Sequence, residues 1–500
     1  MIRFLVISIT LVFGLSPFSF LAQLTSTNLP IIKLTVSETI EDEPAISGSM
    51  KIIYDSLGGA NSATDLANIF NGPISIEARG NSSLGFEKKS YTIRLSGTEV
   101  PLLGMPADST WILHAMHIDK SLMRIPMSFY FSERMGHYVT RNHYVEVILN
   151  GEYIGLYLFC EKILRSPDRV EAGNGYILRI DWGDGSGGFD SNYESMGGVD
   201  MTFQYYDPKG STVDMVYKEN MKSYIHSFEE LLFTQNAGYR NYIDMESFVD
   251  FLLINELSKN SDGYKLSTYI HKPDSGKLTA GPIWDFDQTY GLSMVCSNYD
   301  HCGWTYLQNQ DGCEDLGTMP RWWEQLTKDS VFCNLLVSRW ENFRTTFLQT
   351  DSINTWIDSN LALMNDAATR NFVQWPILGT DIWDEPLPVQ PDYPSEITYM
   401  KDWIQKRVLW MDSNIGNIYD FSSFGGVKIY PNPSADVANI VIQPGGTVKV
   451  ADLTGRIIWS SASGCADTAF TIDVSGWAIG CYVVYVKTTR GVYSSKLVVR

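Results

Sequence analysis

The stretch VEVILNGEYIGLYLFCEKI, residues 145–163, constrains the fold most, because two apolar alternating runs flank an Asn-Gly pair. Asn and Gly accept the positive φ angles of a two-residue hairpin turn, whose twist matches that of the strands it joins. This stretch is the strongest hairpin signal in the chain. The preceding residues supply further strand candidates. Segments 31–34 and 50–54 are short β-type runs, broken by Gly58-Gly59 and Asn71-Gly72-Pro73. ISIEARGNSS (74–83) reads as a strand entering a loop, and KKSYTIRL (88–95) alternates as another strand.

The character changes further on. Residues 120–136 have helical spacing and end on Gly136, a usual C-cap residue. Residues 222–234 and 246–260 carry apolar residues every three or four positions and read as helices. LSTYIHK followed by GKLTAGPIWDFD reads as a second hairpin. Residues 320–415 are mostly helical, with an irregular Pro-rich stretch at 376–394. The expectation is an α+β protein with a β-rich lobe over 23–220 and a helical lobe over 221–415. A polar, Gly-rich linker spans 416–425. The region 426–500 holds about seven short alternating strands, expected to form a small all-β, Ig-like sandwich. Several folded units suit a chain of 500 residues.

Residues 1–22 read as a secretory signal: Arg3 is followed by a largely apolar run of about a dozen residues, FLVISITLVFGL. A membrane-spanning helix needs about 20, so no transmembrane anchor is expected, an uncleaved anchor being the alternative. The formal net charge of −19 repels phosphate backbones, which excludes nucleic-acid partners and suits cations or a basic protein substrate. Seven cysteines agree with export to an oxidising space. Cys296, Cys302, Cys313 and Cys333 are expected to form two bridges and Cys465 to pair with Cys481. Cys160 is expected as a buried free thiol. A zinc site from Cys296, His301, Cys302 and Cys313 is the alternative, although its spacing matches no usual zinc pattern.

Three motifs carry chemistry. In IWDFDQTYG (283–291), Asp285 and Asp287 are two apart. On extended backbone they would share a side, roughly 6–7 Å apart, and suit one or two Mg²⁺ ions; the plainer reading is a pair of turn or capping acids. In NELSKNSDGYKLSTY (255–269), Asp262 falls where a helix ends, with Lys265 three residues on. An acid there can take a hydroxyl proton while the cation steadies a phosphate; an ordinary Asp-Gly turn is the alternative. In RGNSSLGFEKKSY (79–91), the loop around Arg79, Asn81 and Ser82 offers backbone N–H groups to phosphates. Lys88 and Lys89 follow on opposite strand faces, so only one can reach the same place. A surface turn with two solvated lysines is the alternative.

Together with WILHAMHIDKSLMR (111–124) and the first hairpin, these blocks resemble, in order, the signature segments of the spore-coat-protein-H (CotH) kinase family. The resemblance covers about residues 30–415. It implies an atypical, two-lobed protein-kinase-like fold and transfer of the γ-phosphate of ATP to protein Ser or Thr hydroxyls, with Mg²⁺ or Mn²⁺. It also implies Asp262 as catalytic-loop acid, Asp285 as metal ligand and Lys88 or Lys89 as phosphate-binding lysine. Arg124, Glu161 and Asn260 fall in the signature blocks too. The chain departs from ordinary kinases in lacking HRD, in having Ser267 five residues after Asp262, and in reading DFD rather than DFG. Those departures leave room for another nucleotidyl or acyl transfer.

The tail segments VKIYPNP, ADLTGRII, GCYVVYV and KLVVR resemble a type IX secretion sorting domain. That implies a secreted protein attached to the cell surface, with the type IX machinery and a surface or periplasmic protein substrate as partners. Two rivals stand beside the kinase: an inactive surface adhesion or binding module on the same fold, and a metal-dependent hydrolase using Asp285 and Asp287.

Overall fold

A computed structural model describes residues 24–183, 187–195, 198–295, 298–307, 319–418, 427–442, 446–461, 469–488 and 491–500. The export signal expected over 1–22 and residues 419–425 of the expected linker lie outside the described residues.

The Asn-Gly hairpin forms as expected. Asn150 and Gly151 have φ of 51° and 91° and join Asn142–Leu149 to Glu152–Glu161. The sheet around it closes into a seven-stranded barrel. From the hairpin, the order continues through Thr110–His114, Ser90–Leu95, Phe70–Arg79, Ile46–Ile53 and Ile31–Val36. The last strand returns to the first by parallel pairing, Glu146 opposite Ile31. Closure removes the exposed edges an open sheet would carry. Alternating residues fill the interior, among them Ile32, Ile52, Ile76 and Ile93. Trp111 stacks there on Phe159 at 5.3 Å.

A second sheet orders Gly188–Asp190, Thr202–Asp207, Tyr176–Ile180, Thr268–Lys272 and Thr279–Ala280. Leu178 lies opposite Ile270, so this sheet draws on chain from both sides of residue 220. The second expected hairpin is present but shorter, because the chain leaves the sheet after Ala280.

Among the described residues the α-helices are α1 (Arg124–Arg134), α2 (Met215–Phe233), α3 (Met245–Ser258), α4 (Trp322–Leu326), α5 (Ser330–Arg344), α6 (Thr350–Gln374) and α7 (Tyr393–Asn414). α2 starts earlier than its apolar spacing indicates, because Asp214 accepts the Tyr217 N–H as N-cap. α3 is buried from Ser247 to Ser258 on every side, the property of a helix packed into the middle of a domain. Its residues share one core with α1, the second sheet and α4–α7.

The cysteine expectations need correction. Cys333 and Cys481 are free thiols, so neither the two-bridge scheme through Cys333 nor a Cys465–Cys481 bridge holds. Cys302 is disulfide-bonded and cannot serve as a zinc thiolate. Cys160 is free and buried as expected.

The tail is all-β. Val427–Tyr430, Val437–Ile442 and Ala469–Asp473 form one sheet; Ile457–Ser460, Thr447–Asp452, Gly480–Thr488 and Gly491–Val499 form the other. Ile440 and Ile442 from the first pack with Val450, Val484 and Leu497 from the second.

Candidate functional site

A cleft of about 750 Å³ opens where the barrel meets the second sheet and the end of α3. Arg79 and the loop after it, His114, Asp181, Asp262, Asp285 and Asp287 all line it. The three sequence motifs, far apart in the chain, therefore meet in one place.

The acid pair is not held as expected. The segment is irregular, and Asp285 has φ 63°, a conformation non-glycine residues adopt only when their surroundings impose it. Those surroundings are specific. Arg124 Nε donates to the Thr289 carbonyl at 2.9 Å, and the Tyr290 N–H donates to the Ser258 carbonyl at 2.7 Å. The Ser261 N–H reaches the Gln288 carbonyl at 3.4 Å. The acid loop is thus fastened to both α1 and the end of α3. Carboxylate oxygens of Asp285 and Asp287 and a ring nitrogen of His114 all lie within 4.8 Å of one another. Burial first, then the Asp262 charge, pushes the Asp285 carboxyl up to about 6; Arg79 and the Ser267 hydroxyl, at 3.3 Å, oppose this. Burial and the neighbouring Asp285 charge raise Asp287 as well. Arg79 does not neutralise them by direct pairing; its guanidinium sits over the Trp284 ring at 5.3 Å. Two hard oxygen donors forced together fit a divalent cation, which would relieve their repulsion.

Asp262 follows the left-handed C-cap of α3, Lys259. The Asn260 side-chain carbonyl accepts the Asp262 N–H at 3.1 Å, so Asn260 fixes the turn instead of lining the cleft. Burial, aided by Asp181, raises the Asp262 carboxyl, and Lys265 opposes it. Lys265 is itself buried and does not line the cleft. Ser267, a departure from the kinase pattern, has its hydroxyl on Asp285 and so belongs to the site.

Of the two lysines, Lys88 lines the cleft. It is buried, and its Nζ donates to the Leu156 carbonyl at 2.5 Å and Asn371 Oδ1 at 2.9 Å. Both are neutral acceptors, and burial holds the ammonium well below the usual lysine range. Lys89 donates to the Leu84 carbonyl instead. Gly80 has φ 138°, and a Cβ there would meet Ser83 Oγ at 2.0 Å. Only glycine therefore lets Asn81 and Ser82 turn over the cleft. Glu161 lies elsewhere: Arg141 pairs with it at 2.7 Å and the Tyr138 hydroxyl donates to it at 3.0 Å. Arg124 is fully buried between Asp119 at 2.7 Å and Glu396 at 2.8 Å.

Sequence reasoning missed His114, His117, Asp181 and Trp182 as cleft residues. The Asp181-Trp182 pair, directly before a Gly-rich stretch, was the available signal. His114 gave none beyond being the last residue of its strand. Burial and the charges of Arg79 and Lys88 push its imidazole down to about 3. His117 is lowered to about 4 by burial and by Lys88 and Lys120.

The described parts thus define a mixed helix-and-strand domain with an acid-lined cleft, followed by an all-β module. The chain belongs to the family described as CotH kinase protein, whose model matches residues 76–411. Residues 428–500 match the secretion system C-terminal sorting domain. The inner spore coat protein H of Bacillus subtilis (strain 168) is 23% identical over 223 residues, 44% of this chain and 60% of that protein. The chain therefore spans about 60% of that relative's length. Among solved structures, a component of the type IX secretion system of Porphyromonas gingivalis, PorZ, is 28% identical over 16% of this chain and 12% of that one, with a TM-score of 0.14. The twitchin kinase region from C. elegans is 10% identical, over 95% of this chain and 99% of that one, with a TM-score of 0.19. Among the described residues, no helix is long and apolar enough to cross a membrane.

Proposed function

We propose that this is an exported protein kinase that moves the γ-phosphoryl group of ATP to a Ser or Thr hydroxyl of a protein. The observation that carries this reading is the meeting of Asp262, Asp285 and Asp287 with Lys88 and the Gly80 loop in one cleft. In this reading the barrel plays the part of a kinase N-lobe and the helical core that of the C-lobe. Asp285 and Asp287 would hold Mg²⁺ or Mn²⁺, which supplies positive charge to the phosphate oxygens. Lys88, whose ammonium has only neutral partners, is suited to an anionic oxygen. The backbone of the Gly80 loop can cover the phosphates. Asp262 accepts the hydroxyl proton as the hydroxyl oxygen bonds to the γ-phosphorus. The bond to the β–γ bridging oxygen breaks, and ADP leaves with that electron pair. The raised Asp262 carboxyl is the better proton acceptor for it. The acidic chain, with a net charge of −19, suits a basic substrate segment.

One observation favours a second reading, an inactive surface-binding module. Protein kinases pair their lysine with a glutamate, whereas Lys88 has neutral partners and Glu161 is bound to Arg141.

Calorimetric titration of the full chain with ATP, with and without Mg²⁺ or Mn²⁺, separates the two. It is followed by labelled-phosphate incorporation into the protein itself and into a Ser-rich basic peptide. Metal-dependent binding with incorporation is expected; absence of nucleotide binding with every metal overturns the kinase reading. We also propose that the tail takes the protein to the cell surface through the type IX machinery. Surface display of a chain lacking 428–500 would overturn that.

A further inference from the structure

We infer that His114 is a neutral hydrogen-bond donor to a phosphoryl oxygen held at the acid pair, and not a third metal ligand. This rests on the phosphoryl-transfer reading above. Distance alone points the other way, since a ring nitrogen lies within 4.8 Å of the Asp285 and Asp287 oxygens. A His-Asp-Asp triad is a donor set that transition-metal ions accept.

The ring's own hydrogen bond decides against it. The backbone N–H of Met116 points at His114 Nδ1 at 3.1 Å. A backbone N–H can only donate, so Nδ1 must offer its lone pair, and the ring proton sits on Nε2. A metal-bound histidine has the reverse arrangement, in which the nitrogen away from the metal carries the proton and gives it to a carboxylate or carbonyl. Moving the proton to Nδ1 to free Nε2 for a metal would set two N–H groups against each other. Rotating the ring away would break the Met116 bond and disturb the edge-on packing against Trp284 at 6.3 Å.

Nε2–H is then the ring's remaining polar group. His114 lines the cleft, and Nε2 is not among the buried orphan atoms, although His117 Nδ1 is. Among the described residues no protein acceptor takes it. It therefore faces the space where a group bridging the acids would lie. Arg79 and Lys88 already bring positive charge close by. A neutral donor adds a directed contact without a third cation, and such a donor is most valuable as negative charge develops on the acceptor.

The test uses the full chain as wild type, H114L and H114Q. Leu fills the space without a donor, and the Gln amide can place an N–H near the Nε2 position. Mn²⁺ is bound in each, with and without ATP, and read by pulsed electron paramagnetic resonance. Labelled-phosphate incorporation gives kcat and KM. The expected result is no imidazole-nitrogen coupling to Mn²⁺ in the wild type and Mn²⁺ affinity within about twofold across all three. H114L should lose about 10²-fold in kcat with little change in KM for ATP, as removal of one oxyanion donor does, and H114Q should recover most of it. An imidazole coupling in the wild type that H114L abolishes makes His114 a ligand and overturns the inference. So does an H114L variant that transfers phosphate as fast as the wild type. A wild type that binds no ATP removes the phosphoryl-transfer reading first, and the donor role with it.

Discussion

Arg124 Nε donates to the carbonyl of Thr289 across 2.9 Å, tying the first turn of α1 to the loop that carries Asp285 and Asp287. The same guanidinium reaches Asp119 at 2.7 Å and Glu396 at the start of α7 at 2.8 Å, and all three side chains are buried. One cation thus joins α1, α7 and the acid loop. Its role is positional, because it reaches the cleft only through the backbone of Thr289.

Removing it should be costly. Arg124→Met leaves two buried carboxylates without their partner, and breaking a buried pair typically costs about 3–5 kcal/mol. Arg124→Lys should fall in between, since an ammonium cannot reproduce the forked geometry. Chemical denaturation of the full chain measures this. A midpoint for Arg124→Met matching the wild type would show that the triad contributes nothing net.

How much of this could be read from the chain alone depends on distance along it. The Asn150-Gly151 turn and helices α2 and α3 were legible because turn chemistry and apolar spacing are local. Barrel closure was not, since Ile31 meets Glu146 across more than a hundred residues and no local pattern encodes such a pairing. The acids at 285 and 287 were legible as residues but not as geometry. Asp285 takes its left-handed φ from ties to α1 and α3 that a strand-like spacing does not reveal. Glu161 fell in a signature block, yet Arg141 and Tyr138 claim it. Cysteine spacing misled because Cys333 hydrogen-bonds to the Thr327 carbonyl within the helical core instead of reaching another sulfur.

The free thiols can be tested chemically. Cys481 is partly exposed, whereas Cys160 and Cys333 are buried, with both thiols pushed up to about 12. Only thiolates alkylate readily. Iodoacetamide on the native, unreduced protein should label Cys481 and spare Cys160 and Cys333; denaturation without reductant should expose those two but not Cys302. Peptide mass mapping reads the outcome, and a Cys481 found in a disulfide would contradict the arrangement.

Asp262 and Asp285 should fail differently when made amides. Asp262→Asn should keep metal-dependent ATP affinity and slow transfer by about 10²–10⁴, the usual loss with a proton acceptor. Asp285→Asn should weaken the metal dependence of ATP binding itself, because an amide lacks the charge that holds the ion. Titration calorimetry beside phosphate incorporation separates the two. Equal loss of ATP affinity in both would deny Asp262 its separate task.

The acid pair also sets a pH dependence whose sign can be worked out. Asp285 titrates near 3.8 in an unfolded chain and at about 6 in the folded one. A folded pKa above the unfolded value means the native state holds its proton more tightly. The stability from this group is full below about pH 4 and is lost as pH rises through about 6. Asp287 is raised too and adds in the same direction. Metal-free wild type should therefore lose stability over this window relative to Asp285→Asn, where only one of the two acids remains. Added Mg²⁺ or Mn²⁺ should reverse the trend. The ion binds the ionised carboxylates of the native state, so its stabilisation grows as they lose their protons. Melting temperatures of wild type and Asp285→Asn from about pH 4.5 to 7.5, each with and without metal, check this. A metal-induced rise that is the same at every pH, or the same in both proteins, would mean that the ion is held by other groups.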